Sequence, residues 1–125
     1  MAGSLSRDTY LWVAETGGQI VGSVQLCLCL KDNGRHRAEV QKLFVLTANR
    51  GQGIATALME ELENFARAGG RSLLVLDTVA GSDAETVYAH LGWHKSGEIP
   101  LYAAMPDGEL RATAYYYKHL EEPAT

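Results

Sequence analysis

Arg50, Gly51 and Gly53 stand together in "NRGQGIATALM", residues 49–59, where the chain turns strongly helix-forming. Glycine inside a helix costs roughly 1 kcal/mol against alanine, so two of them at a helix mouth ask for a reason. The first turn of a helix offers unpaired N–H groups and the positive end of its dipole. Bare glycines let an anion, most often a phosphate, approach that backbone closely, and Arg50 adds a charge at the same rim. Two carboxylates flank this feature. Glu39 lies on the strand read at residues 38–46, where alternation puts it on a face with Gln41, Leu43 and Val45. Asp77 ends the next strand, and carboxyl ends of strands are where α/β sheets bind ligands. Each also has a plainer reading: an exposed strand carboxylate for Glu39, a loop-tying or helix-capping aspartate for Asp77.

The elements that hold these residues follow from hydrophobic period. "TYLWVAETGGQIVGSVQLCLCL" reads as two β-rich runs around a Gly17-Gly18 hairpin turn. "KDNGRHR" is a polar loop, and "AEVQKLFVL" a third strand. From Ile54 to Ala68 the period becomes helical, with Ile54, Leu58, Leu62 and Phe65 on one face and Gly69-Gly70 as the stop. "SLLVLDTVA" is a near-continuous apolar run, expected to be a strand buried on both faces of a parallel sheet, so a βαβ unit results. "GSDAETVYAHLGW" predicts a short helix with Ser82 or Asp83 as N-cap and Glu85 completing a capping box. Trp93 to Tyr102 and Leu110 to Leu120 read as strands joined by a Pro106-Asp107-Gly108 turn. The order ββ, βαβ, α, ββ implies a mixed α/β sheet in a single domain, residues 1–125.

Composition excludes several classes. With 46% hydrophobic and 21% charged residues, neither a disordered chain nor a disulfide scaffold is indicated. A net charge of -4 argues against nucleic acid as a main partner. Basic residues cluster between Lys31 and Lys42 but are interrupted by acidic ones, which fits a small basic mouth for an anionic ligand. No apolar run reaches the roughly 20 residues of a membrane helix, and "MAGSLSRD" lacks the apolar core of a signal peptide. Cys27 and Cys29, at C-x-C spacing on a strand, read as small buried hydrophobes of a reducing, cytoplasmic protein. His36, His90, His94 and His119 show no metal-ligand spacing, so no metal is expected.

The glycine loop is not a P-loop, because no lysine follows the second glycine. A dinucleotide fingerprint would need glycine where Thr56 stands, although Asp77 sits at a suggestive distance. The run Arg50-Gly51-Gln52-Gly53-Ile54-Ala55 fits R/Q-x-x-G-x-G/A and resembles the pyrophosphate-binding signature of the GNAT superfamily of acetyl-CoA-dependent N-acetyltransferases. "AEVQKLFVL" looks like that family's central strand, and "VYAHLGW" like its LYxxxGF element. The run from "LLVLDTVAGSDAETVYAHLGW" to "IPLYAAMPDGELRATAYYYK" resembles tabtoxin-resistance-type members, which acetylate a small amine. The resemblance covers residues 9 to 120.

That resemblance implies an α/β GNAT fold with a βαβ acetyl-CoA-binding core, and direct attack of an amine on the thioester. Leu43, Phe44 and Val45 would meet the pantetheine arm through their backbone, the Val45 N–H serving the oxyanion. The backbone N–H groups of Gly51, Gln52, Gly53, Ile54, Ala55 and Thr56, with Arg50, would hold the pyrophosphate. Glu39 and Asp77 would deprotonate the amine through water, and Tyr88 would protonate the departing thiolate. The Tyr115-Tyr116-Tyr117 run reads as strand packing, with at most one side chain reaching a substrate. The family fold begins with a strand and two helices ahead of the first hairpin, whereas here the hairpin starts near residue 9. The shortened fold is therefore expected to leave a sheet edge and apolar surface uncovered, which a homodimer would cover. The expected acceptor is a small-molecule amine. An alternative is a module that binds acetyl-CoA without turnover, and a nucleotide-binding α/β domain is the remaining reading.

Overall fold

Thr9–Thr16 (β2) and Gln19–Leu28 (β3) are joined across Gly17 and Gly18, as the alternation on either side of that pair predicts. The computed structural model describes residues 2–4 and 8–121, so residues 5–7 of the opening "MAGSLSRD" lie outside the described residues. Its other elements are β1 (Ala2–Ser4), β4 (Arg37–Val45), α1 (Ile54–Ala68), β5 (Leu73–Val79), α2 (Asp83–His90), β6 (His94–Ala104) and β7 (Leu110–His119). Short 3-10 turns occupy Asp32–Gly34 and Thr47–Asn49. Strand order is β1-β2-β3-β4-β5-β7-β6, the mixed α/β arrangement expected from the sequence. The chain divides into two compact units, Met1–Leu74 with His119–Thr125 and Val75–Lys118, and β5 contributes to both.

In the first unit β1 to β4 form an antiparallel meander, and α1 packs on one face. Trp12, Val24, Leu26, Ala38 and Val40 alternate inward from the strands and meet Leu58, Met59, Leu62 and Ala66 of α1 as the buried core. Period 2 on the strands and 3.6 on the helix bring these residues to one layer. Phe65 is partly exposed, yet its ring lies 4.7 Å from Tyr10 and 5.2 Å from Trp12. Gly22 marks the closest approach: a Cβ there would stand 3.0 Å from Ile54 Cγ2 and 3.0 Å from the Phe44 carbonyl oxygen. The β2 edge, expected to be bare, carries the three residues of β1 in antiparallel register, Ala2 opposite Trp12.

The basic run also differs from expectation. The loop between β3 and β4 lies at the start of β4, whereas Arg50 follows its end, about 30 Å away at the usual strand rise. Arg35 pairs with Asp32, and Arg71 Nη1 donates to the carbonyl oxygens of Cys29, Arg35 and Arg37. Cys27 and Cys29 are free thiols and half-buried rather than buried, because Cys27 points to the face away from α1.

In the second unit β6 and β7 form a long hairpin with α2 against β6. Pro100, Leu101 and Tyr102 oppose Ala112 alone, and Leu101 takes a left-handed φ of 53° at this bulge. β5 alternates instead of burying both faces: Leu74 and Leu76 are buried, while Leu73 and Val75 are half-exposed.

Candidate functional site

The first unit carries the anion-binding candidate. β4 ends at Val45, a 3-10 turn covers Thr47–Asn49, and α1 starts at Ile54. Gly51 and Gly53 hold φ of 80° and 78°, the left-handed region that a side chain makes costly. A Cβ at either position would meet nothing within 4 Å, so their backbone is open to an incoming group. Gly53 is the N-cap residue and no side chain caps α1, which leaves its first-turn N–H groups for a ligand. Arg50 is exposed and its Nε reaches back 3.4 Å to the Val45 carbonyl oxygen, at the rim of the same loop. Gln52 and Thr56 are exposed, and Ile54 and Ala55 are half-buried under the loop.

Glu39 is half-buried on β4, opposite Cys27 of β3. The structure corrects its neighbours. Gln41 pairs with Gln25, but Phe44 pairs with Ser23, so β4 holds one extra residue between them. Lys42 sits in that bulge with a left-handed φ of 55°. A bulge moves every following side chain to the other face. Phe44, which is 52% exposed, therefore shares the face of Glu39 and Gln41, and Val45 turns to the face of Val40 and α1. Uniform alternation in "EVQKLFV" hid this, because a left-handed lysine has no signature in a strand-forming run.

The second unit carries Asp77 and Tyr88. Asp77 is exposed and lies within β5, which continues through Thr78 and Val79. Tyr88 on α2 is buried, its ring 6.1 Å from Trp93 in a T-shaped contact and 6.1 Å from Tyr116. Burial raises the Tyr88 phenol pKa above its ordinary value, and the Asp77 charge raises it further. The phenol therefore keeps its proton through neutral pH. The indole N–H of Trp93 is buried without a hydrogen-bond partner.

The model of the GNAT acetyltransferase domain matches residues 7–95, which span both the Arg50 loop and Tyr88. The chain belongs to the GNAT acetyltransferase family. Rat (Rattus norvegicus) N-acetyltransferase 8 is 43% identical over 95 residues, covering 74% of this chain and 42% of that protein. The chain thus spans less than half the length of this curated relative. Among solved structures, yncA of Salmonella typhimurium, described with its cofactor acetyl-CoA, superposes with a TM-score of 0.79 at 21% identity, over 94% of this chain and 68% of that one. An aminoglycoside 6'-N-acetyltransferase complexed with coenzyme A gives a TM-score of 0.76 at 17% identity, over 96% and 78%. Both likenesses establish the GNAT fold.

GNAT proteins bind acetyl-CoA, and the loop at α1 fits its pyrophosphate. The fit rests on two left-handed glycines without steric neighbours and an uncapped helix start, not on the motif alone. Among the described residues no group of three or more His, Cys, Asp or Glu side chains gathers to hold a metal ion. Among the described residues no helix is long and apolar enough to cross a membrane. Sequence reasoning missed one polar cluster near Tyr88. The capping box expected of Ser82 and Glu85 does not form, and Glu85 accepts instead from the Gly81 N–H at 2.5 Å, one residue before the N-cap. It also accepts from Tyr116 and Lys95, partners 31 and 10 residues ahead in the chain that no local pattern announces. Ser82 is the N-cap residue but makes no side-chain cap; its hydroxyl donates instead to the Val79 carbonyl oxygen at 2.6 Å.

Proposed function

We propose that this chain transfers the acetyl group of acetyl-CoA to a primary amine of a small molecule. The observation that carries the proposal is the open, left-handed Gly51/Gly53 loop leading into an uncapped helix inside the GNAT-matched segment. Arg50 and the N–H groups of residues 51–56 hold the pyrophosphate, and the backbone of Leu43, Phe44 and Val45 meets the pantetheine arm. When bound, acetyl-CoA supplies the thioester carbonyl that an amine attacks. The Val45 N–H donates to that carbonyl oxygen as negative charge builds on it. Glu39 and Asp77 take the proton of the ammonium through water, leaving a nucleophilic lone pair. Tyr88 gives its phenolic proton to the sulfur as the carbon–sulfur bond breaks and the carbon–nitrogen bond forms.

An amino-containing antibiotic or toxin is the acceptor class we favour. The resemblance of residues 73–118 to tabtoxin-resistance-type enzymes supports it, as does the structural likeness to an aminoglycoside acetyltransferase. The test is thiol release from acetyl-CoA with an aminoglycoside, a polyamine, an amino acid and a peptide with a free α-amine. Turnover with a small amine supports the proposal. Binding without turnover on any of them would favour the second reading, a module that only binds acetyl-CoA. We further propose a cytoplasmic homodimer, with no nucleic-acid partner. The half-buried free thiols of Cys27 and Cys29 are consistent with a reducing compartment. Ile99, Leu101, Tyr102 and Leu110, exposed on the β6–β7 hairpin, are apolar surface that a second copy would cover. A monomer by sedimentation at micromolar concentration would overturn the dimer.

A further inference from the structure

Glu85 gathers more partners than a helix cap needs. From the first turn of α2 it accepts the Gly81 N–H at 2.5 Å, the Tyr116 hydroxyl at 2.7 Å and the Lys95 ammonium at 2.8 Å. Lys95 bonds Glu98 as well. One carboxylate, its side chain 15% exposed, thereby ties the start of α2 to β6 and β7. A capping role would require only the Gly81 contact, and a surface ion pair only Lys95. The bond to Tyr116 serves neither purpose.

Tyr116 is buried, and its ring stands 6.1 Å from that of Tyr88. Trp93 touches Tyr88 at a second angle, and its backbone N–H donates to the Tyr88 carbonyl oxygen at 3.0 Å. The Tyr88 ring is thus bounded by two aromatic walls, one of which is pinned at its hydroxyl end by Glu85. Glu85 and Tyr88 are also three residues apart on the same short helix, so both its backbone and its ring neighbour depend on the same carboxylate. We propose that Glu85 is a positioning residue for Tyr88, acting through the Tyr116 hydroxyl. The proposal rests on the reading of Tyr88 as proton donor to sulfur. It assigns Glu85 no contact with substrate. It predicts that freeing Tyr116 lets the Tyr88 ring wander, and a phenol misplaced by about 1 Å donates far less effectively.

The test combines fluorine NMR of the full chain labelled with 3-fluorotyrosine and steady-state thiol release from acetyl-CoA with the amine chosen from the panel above. The Tyr88→Phe and Tyr116→Phe variants assign the two resonances among the six tyrosines. In Glu85→Ala and in Tyr116→Phe the Tyr88 resonance should shift and broaden, and kcat should fall about tenfold with KM for acetyl-CoA within about twofold of wild type. Glu85→Gln keeps an acceptor for Tyr116 and should return both the resonance and kcat toward wild type. A folded Glu85→Ala protein with an unmoved Tyr88 resonance overturns the proposal. If Glu85→Ala does not fold, an unmoved Tyr88 resonance in Tyr116→Phe overturns it equally. Should Tyr88→Phe keep full turnover, the proton-donor reading fails instead, while the fluorine spectra still decide whether Glu85 positions the ring.

Discussion

Tyr88 joins packing to the chemistry we propose for it. The ring is held by Trp93 and Tyr116, while burial and the Asp77 charge keep its proton in place. Replacement by phenylalanine retains the ring contacts and removes only the hydroxyl. Turnover of Tyr88→Phe should therefore fall by about 10- to 100-fold, with acetyl-CoA affinity within about twofold of wild type. Thiol release and a binding titration on the same variant measure the two quantities separately. Unchanged turnover would remove Tyr88 from the mechanism. Trp93 offers a contrast: its indole N–H has no partner among the described residues, and it meets Tyr88 through its ring and its backbone N–H.

Each unit has one contact between elements that holds it firmly. Gly22 lets β3 lie against the first turn of α1, and a methyl group there would press on Ile54 and on the Phe44 carbonyl. Gly22→Ala should cost about 1–3 kcal/mol, read as a lower Tm, because backbone on one side cannot yield. In the second unit Glu85 fastens α2. Its pKa is lowered from 4.5 to about 2, first by Lys95, then by the Gly81 N–H and Tyr116. A carboxyl depressed in the folded state stabilises fully above its unfolded pKa and loses that contribution as pH falls toward the folded value. Stability should thus decline between about pH 4.5 and 2, by on the order of 2 kcal/mol after allowance for solvent around Lys95, and Glu85→Gln should flatten that part of the profile. Denaturant midpoints across this range check it. The elements themselves were readable in the sequence wherever period was strong. The helix at Ile54–Ala68 and the Gly17-Gly18 hairpin stand where alternation and helical spacing put them. The Lys42 bulge was not, since it depends on pairing with β3, and neither was the Glu85–Tyr116 bond, which joins residues far apart in the chain.

On the scale of the whole chain, the anion-binding loop and the phenol sit in a segment matched end to end by the GNAT model. The Arg50 loop could be recognised from residue types because the anion site we propose there is built from backbone, which only glycine leaves accessible. An acceptor site has no comparable signature, because a pocket that reads an amine is built from side chains of several elements. The central claim is that residues 50–56 form an acetyl-CoA pyrophosphate site. Calorimetric titration of the 125-residue chain with acetyl-CoA, with NADH as the control ligand, tests it most directly. One-site binding of acetyl-CoA in the micromolar range, with no heat from NADH, is the predicted result. No binding of acetyl-CoA, or equal binding of NADH, would contradict the account.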